Sequence, residues 1–165
     1  MSRARAAVGS VVFLVVAPGV VAGLVPWLMT GWSTHDWWPP IRVLGGLMIG
    51  AGLAVLLQAF VRFVVEGIGT PAPIAPTERL VVGGAYRYVR NPMYLAVAAL
   101  IFGQALLLGQ AEVLLYAAAF CVTVAAFVHG YEEPILSRRF GAQYEAYRRA
   151  VPAWRPRRTP REPGR

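Results

Sequence analysis

Four long stretches of this chain carry no Asp, Glu, Lys or Arg, and each is bounded by ionisable residues: Ala6 to Thr34, Val43 to Val61, Asn91 to Ala111 and Val113 to Tyr131. An α-helix rises about 1.5 Å per residue, so roughly 20 residues cross a hydrocarbon core about 30 Å thick. The runs therefore predict four transmembrane helices, near 8–29, 43–62, 92–109 and 112–131. A soluble helical bundle is the competing reading. It fails because 57% of the chain is hydrophobic and only 15% charged, too little polar surface to solvate the outside of such a bundle. Arg3 and Arg5 resemble the charged start of a signal peptide. The apolar run behind them is too long for one and contains Pro18 and Pro26, so it reads as a true span, kinked near Pro18-Gly19.

All sixteen basic residues are arginine. Nine follow the last span, four lie between spans two and three, and two precede span one. By the positive-inside rule both termini and the 62–91 loop face the cytoplasm, so the expected location is the cell (inner) membrane. The net charge of +8 then reflects arginines beside anionic headgroups, and no nucleic-acid module accompanies it. The expected partners are membrane lipids and no nucleic acid.

Several residues carry plain readings. Cys121 stands alone in span four and reads as a small packing residue. His35 and His129 lack the companions a metal site needs, so no metal is expected. Trp27, Trp32, Trp37 and Trp38 gather round the outer loop, where indoles favour the headgroup layer. Gly46 and Gly50 have the spacing of a close helix–helix contact.

The 62–91 loop is long for a membrane bundle. Pro71, Pro73 and Pro76 favour extended backbone, and Leu80, Val81 and Val82 are apolar enough to pack on something; a stiff arm laid across the bundle is expected. After span four, Pro134 suits the first turn of a new helix. Leu136, Phe140, Tyr144 and Tyr147 recur at helical spacing, with arginines on the other faces and a Glu145–Arg149 pair four apart. This predicts an amphipathic helix at the cytoplasmic surface, ended by Val151-Pro152. An Arg/Pro-rich tail of disordered type is expected over 155–165. The whole is one domain over 1–154: an all-α integral membrane protein with four transmembrane helices and a cytoplasmic C-terminal amphipathic helix.

Spans three and four form a hairpin with a minimal turn. Arg90, Asn91 and Tyr94 at one base must therefore lie near His129, Glu132 and Glu133 at the other. Ionisable groups clustered at a membrane boundary are candidates for a functional site.

These residues resemble the isoprenylcysteine carboxyl methyltransferase and phospholipid methyltransferase group of membrane enzymes. The resemblance rests on Leu80-Val81, Gly84-Ala85-Tyr86, Arg90-Asn91-Pro92-Met93-Tyr94, Glu132-Glu133, Phe140-Gly141, Tyr144, Tyr147 and Val151-Pro152, in the family's order and spacing. It covers roughly residues 78–156, with the catalytic part at about 78–154. It implies S-adenosyl-L-methionine as cofactor, bound at the cytoplasmic face beneath the C-terminal helix, and a lipophilic methyl acceptor. Carried over by position, Leu80, Val81, Tyr86, Asn91, Pro92, Met93, Tyr94 and Glu132 are expected to contact the cofactor. Tyrosine faces suit adenine and a sulfonium, and a carboxylate suits an ammonium or ribose hydroxyl. An amine or hydroxyl acceptor must lose a proton, for which Glu133 or His129 would serve.

The chain departs from the family pattern at three places. Asn91 stands where the family has histidine, and Ala96 where it has glycine. Val128 stands where the carboxyl methyltransferases have an arginine associated with the substrate carboxylate. A carboxylate acceptor would then need another cation, Arg87 or Arg90, so the acceptor stays open. The other classes are a sterol-reductase-like enzyme using NADPH and a non-catalytic membrane scaffold.

Overall fold

The computed structural model describes residues 16–62 and 79–161, together with Val12 and Val65. The prolines at 71, 73 and 76, and with them the expected stiff arm, lie outside the described residues. Every regular element among those described is helical: α1 (Val16–Thr30), α2 (Pro39–Arg62), a short 3-10 turn (Gly84–Arg87), α3 (Pro92–Leu108), α4 (Ala111–Phe140) and α5 (Ala142–Ala150). By length and composition α2 and α4 can cross a membrane; α1 and α3 are shorter apolar helices.

The expected break at Pro134 is absent. Instead α4 runs through a π-helical turn at Val128–Glu132, where the Glu133 N–H reaches back to the Val128 carbonyl. A proline lacks its N–H, and its ring collides with the carbonyl four residues earlier; widening the preceding turn by one residue lets the helix continue. The predicted amphipathic helix is accordingly two pieces, broken at Gly141 (φ +49°) between α4 and α5.

The same device operates in α1. A π turn at Val20–Leu24 precedes Pro26, closed by the Val25 N–H on the Val20 carbonyl. This leaves the Val21 and Ala22 carbonyls without their usual donors. Tyr116 Oη donates to the first (2.8 Å) and Gln104 Nε2 to the second (2.6 Å), which ties α1 to α4 and α3.

Between α2 and α3 the backbones meet at glycine. A β-carbon on Gly45 would lie 2.6 Å from the Gly103 carbonyl oxygen, and one on Gly103 would lie 2.7 Å from that of Gly45. Gly52 sits as close to Ala96. The expected pair, Gly46 and Gly50, is corrected by this: both face open space. Small residues matter most between apolar helices, where close packing rather than exclusion of water drives association. Leu56 and Phe60 of α2 complete this layer against Val97 and Ile101 of α3, with Val113 and Ala117 of α4 behind.

At the end of the bundle that carries the 31–38 loop, Trp37 donates Nε1 to the Leu106 carbonyl (2.8 Å), and Trp27, Trp32, Trp37 and Trp38 are all exposed. At the other end, Tyr144, Tyr147 and Val151 are buried against Leu80, Val82, Leu136 and Phe140. Glu145 pairs with Arg148 (3.8 Å) and accepts from Ser137, rather than meeting Arg149.

Candidate active site

The base of the α3–α4 hairpin carries two carboxylates on consecutive residues, and each has a different partner. Glu133 accepts from Arg90 (Nη1 to Oε1, 2.6 Å), both side chains being almost fully buried. Glu132 accepts from Tyr94 Oη at 2.9 Å. Among the described residues no cation lies within ion-pair distance of Glu132. Arg90 also donates to Tyr144 Oη (3.0 Å), yet its Nε is buried without a hydrogen-bond partner. A part-buried carboxylate lacking a cation and a buried guanidinium N–H lacking an acceptor therefore belong to residues that line the same two cavities. Groups of that kind are costly unless something satisfies them.

The segment 79–91 is held over this base from two sides. Gly84 adopts φ +56°, where a β-carbon would also press on Arg62, and the Ala85 N–H donates to Gln58 on α2. From the other side, Tyr147 of α5 donates Oη to the Tyr86 carbonyl at 2.7 Å. Burial raises the Tyr147 phenol above its ordinary pKa, with the nearby Arg90 guanidinium opposing, and burial raises Tyr144 likewise. Both stay protonated across the physiological range, Tyr147 donating to Tyr86 and Tyr144 accepting from Arg90.

Beyond α5 the chain returns across the same segment. Arg90 N–H donates to the Pro152 carbonyl, Asn91 Nδ2 to Ala153 (3.2 Å), Arg157 N–H to Tyr88 and Arg161 N–H to Arg87. Arg87 Nε answers on the Arg161 carbonyl at 2.8 Å. The stretch expected to be a loose tail is, over residues 155–161, a strap bonded to the site segment; residues 162–165 lie outside the described residues.

Two cavities adjoin here and share Tyr86, Arg90, Asn91 and Glu132 in their walls. The larger, about 170 Å³, is also lined by Pro92, Met93 and Tyr94, with Val97 and Phe120 deeper between the helices. The smaller is lined by Leu80, Val81, Glu133, Tyr144 and Tyr147. It also contains Val128, which is buried, so the departure from the carboxyl methyltransferase pattern falls in the cavity wall itself. Of the predicted site residues, His129 alone lines neither cavity. It is 86% exposed, with Nδ1 3.8 Å from Glu133 Oε2. The meeting of Arg90 with the two glutamates was expected from the hairpin; the site roles of Tyr144 and Tyr147 were not legible beforehand, although their i, i+3 spacing was a signal for one buried face.

The pattern of the phospholipid methyltransferase family matches residues 40–143, from the start of α2 to the start of α5. Both carboxylates, the 86–94 segment and most of the cavity walls fall within that match. No curated protein and no solved structure matches the chain.

Proposed function

Because the chain belongs to the phospholipid methyltransferase family, we propose that it is an S-adenosylmethionine-dependent membrane enzyme that methylates a lipid or lipid-modified acceptor at the cytoplasmic face. The observation that carries this reading is Glu132: a part-buried carboxylate, held by Tyr94 and, among the described residues, in no ion pair, in the wall common to both cavities. In this reading α1 to α4 are four spans with both termini inside, and α5 with the strap lies on the cytoplasmic surface, consistent with the arginines beyond α4.

The residues fit the cofactor's chemistry. Glu132 would hold its ammonium or ribose hydroxyls, and the free Arg90 Nε would take its carboxylate. Tyr86 and Tyr94 offer aromatic faces, and Leu80, Val81, Pro92, Met93 and the Asn91 backbone form the apolar surround. When bound, the cofactor supplies an electrophilic methyl group on a sulfonium.

The chain's own part is positioning and proton acceptance. Glu133 fixes Arg90, and Tyr147 and the strap fix the segment that carries it. An amine or hydroxyl acceptor would pass its proton to Glu133, with His129 leading outward to water. Val128 offers no cation, which favours such an acceptor over a carboxylate.

The test is a titration of the detergent-solubilised full chain with adenosylhomocysteine and, separately, NADPH. Stabilisation by the first alone supports the reading. Stabilisation by NADPH alone would favour a reductase, and by neither, a scaffold. Radiolabelled methyl transfer into a total lipid extract then identifies the acceptor.

A further inference from the structure

We propose that the groove between α3 and α4 seats one hydrocarbon chain of the acceptor lipid, an inference that rests on the methyltransferase reading above. The groove encloses about 290 Å³ and its walls are almost wholly apolar. Tyr94, Leu95 and Ala98 of α3 form one side; Cys121, Val124 and Ala125 of α4 form most of the other. The first set follows i, i+1, i+4 spacing and the second i, i+3, i+4, so each is a stripe along its helix and the groove runs lengthwise between them. At a rise of about 1.5 Å per residue, the lining from Phe120 to Ala125 spans roughly 7 Å, a segment of extended alkyl chain. The floor is small at Ala98, Cys121 and Ala125, whereas Leu115, on another face of α4, is large and exposed.

Two features point to the occupant. Tyr94 and Phe120 line both this groove and the larger cavity that contains Glu132. A molecule with its polar end at Glu132 can thus lay its apolar end along the same two side chains. Trp154 closes the end nearest the site, where an indole marks the boundary between apolar and polar layers. A helix from a second copy, about 10 Å across with its side chains, is too broad for this volume between two packed helices. One chain of a lipid is not.

The experiment uses the full chain in phosphatidylethanolamine vesicles doped with a phospholipid bearing a diazirine on its acyl chain. After irradiation, adducts mapped by mass spectrometry should favour Leu95–Ala98 and Phe120–Ala125 over Leu115 by about tenfold. Ala98→Trp fills the groove and should remove that preference. Adducts spread evenly over both faces, or a preference untouched in a folded Ala98→Trp protein, would overturn the proposal. If that variant does not fold, the wild-type map decides alone. An adenosylhomocysteine titration of the same vesicles separates the two ideas. Groove adducts without cofactor binding support a lipid seat and refute methyl transfer; cofactor binding with even adducts refutes the groove only.

Discussion

Tyr94 donates its hydroxyl to Glu132 across the base of the α3–α4 hairpin at 2.9 Å, while the adjacent Glu133 is taken by Arg90. Neighbouring carboxylates are thereby given different partners, a phenol for Glu132 and a guanidinium for Glu133. Glu132→Gln keeps the shape and removes the charge. Since a hydrogen bond to a charged group contributes about 1.5–3 kcal/mol, it should weaken adenosylhomocysteine binding by at least about tenfold, measured by isothermal titration. Tyr94→Phe, which removes a neutral donor, should cost only a few-fold.

Arg90 and Glu133 form a nearly buried pair, so removing one partner leaves a stranded charge. Glu133→Ala should lower unfolding stability by about 3–5 kcal/mol. Combining it with Arg90→Met should recover a large part of that loss in thermal unfolding while cofactor binding stays impaired. Equal loss in single and double variants would show that the pair is not coupled.

Gly45 and Gly103 touch backbone to backbone. Gly103→Ala should destabilise the bundle by about 1–3 kcal/mol through overpacking. Gly46→Ala, in open space on α2, should be neutral or stabilising by up to about 1 kcal/mol, because alanine is the better helix former. Denaturation in detergent distinguishes the two.

Tyr147→Phe removes the hydroxyl that donates to the Tyr86 carbonyl and should cost about 0.5–1.5 kcal/mol. The raised pKa also sets a pH limit. A phenol whose pKa is higher folded than unfolded contributes stability in full below its unfolded value, about 10, and loses it as the pH rises through the folded value. Alkaline unfolding of the wild type should begin above about pH 10 and its slope should be shallower in Tyr147→Phe, as followed by circular dichroism against pH.

Charge and hydropathy made the helical hairpin legible, and with it the meeting of Arg90 and Tyr94 with Glu132 and Glu133. Which face of α2 is buried was not legible. A helix apolar all round has no polar stripe to mark its phase, so Gly46 and Gly50 looked as suitable as Gly45 and Gly52. The prolines signalled irregularity, but a π turn absorbs Pro134 where a helix boundary was expected. The return of residues 152–161 across 87–91 rests on backbone groups, which side-chain patterns do not report.

That return also bears on how the protein is made. A chain synthesised from its N-terminus delivers α1 to α5 before Arg157 and Arg161 exist to hold Tyr88 and Arg87. Until translation passes Arg161, the helices are present but the segment carrying Tyr86, Arg90 and Asn91 lacks its outer brace. A ribosome-arrested intermediate stopped before the strap would carry the framework without the brace on the cavity-lining segment, so the cofactor binding proposed above would be acquired late.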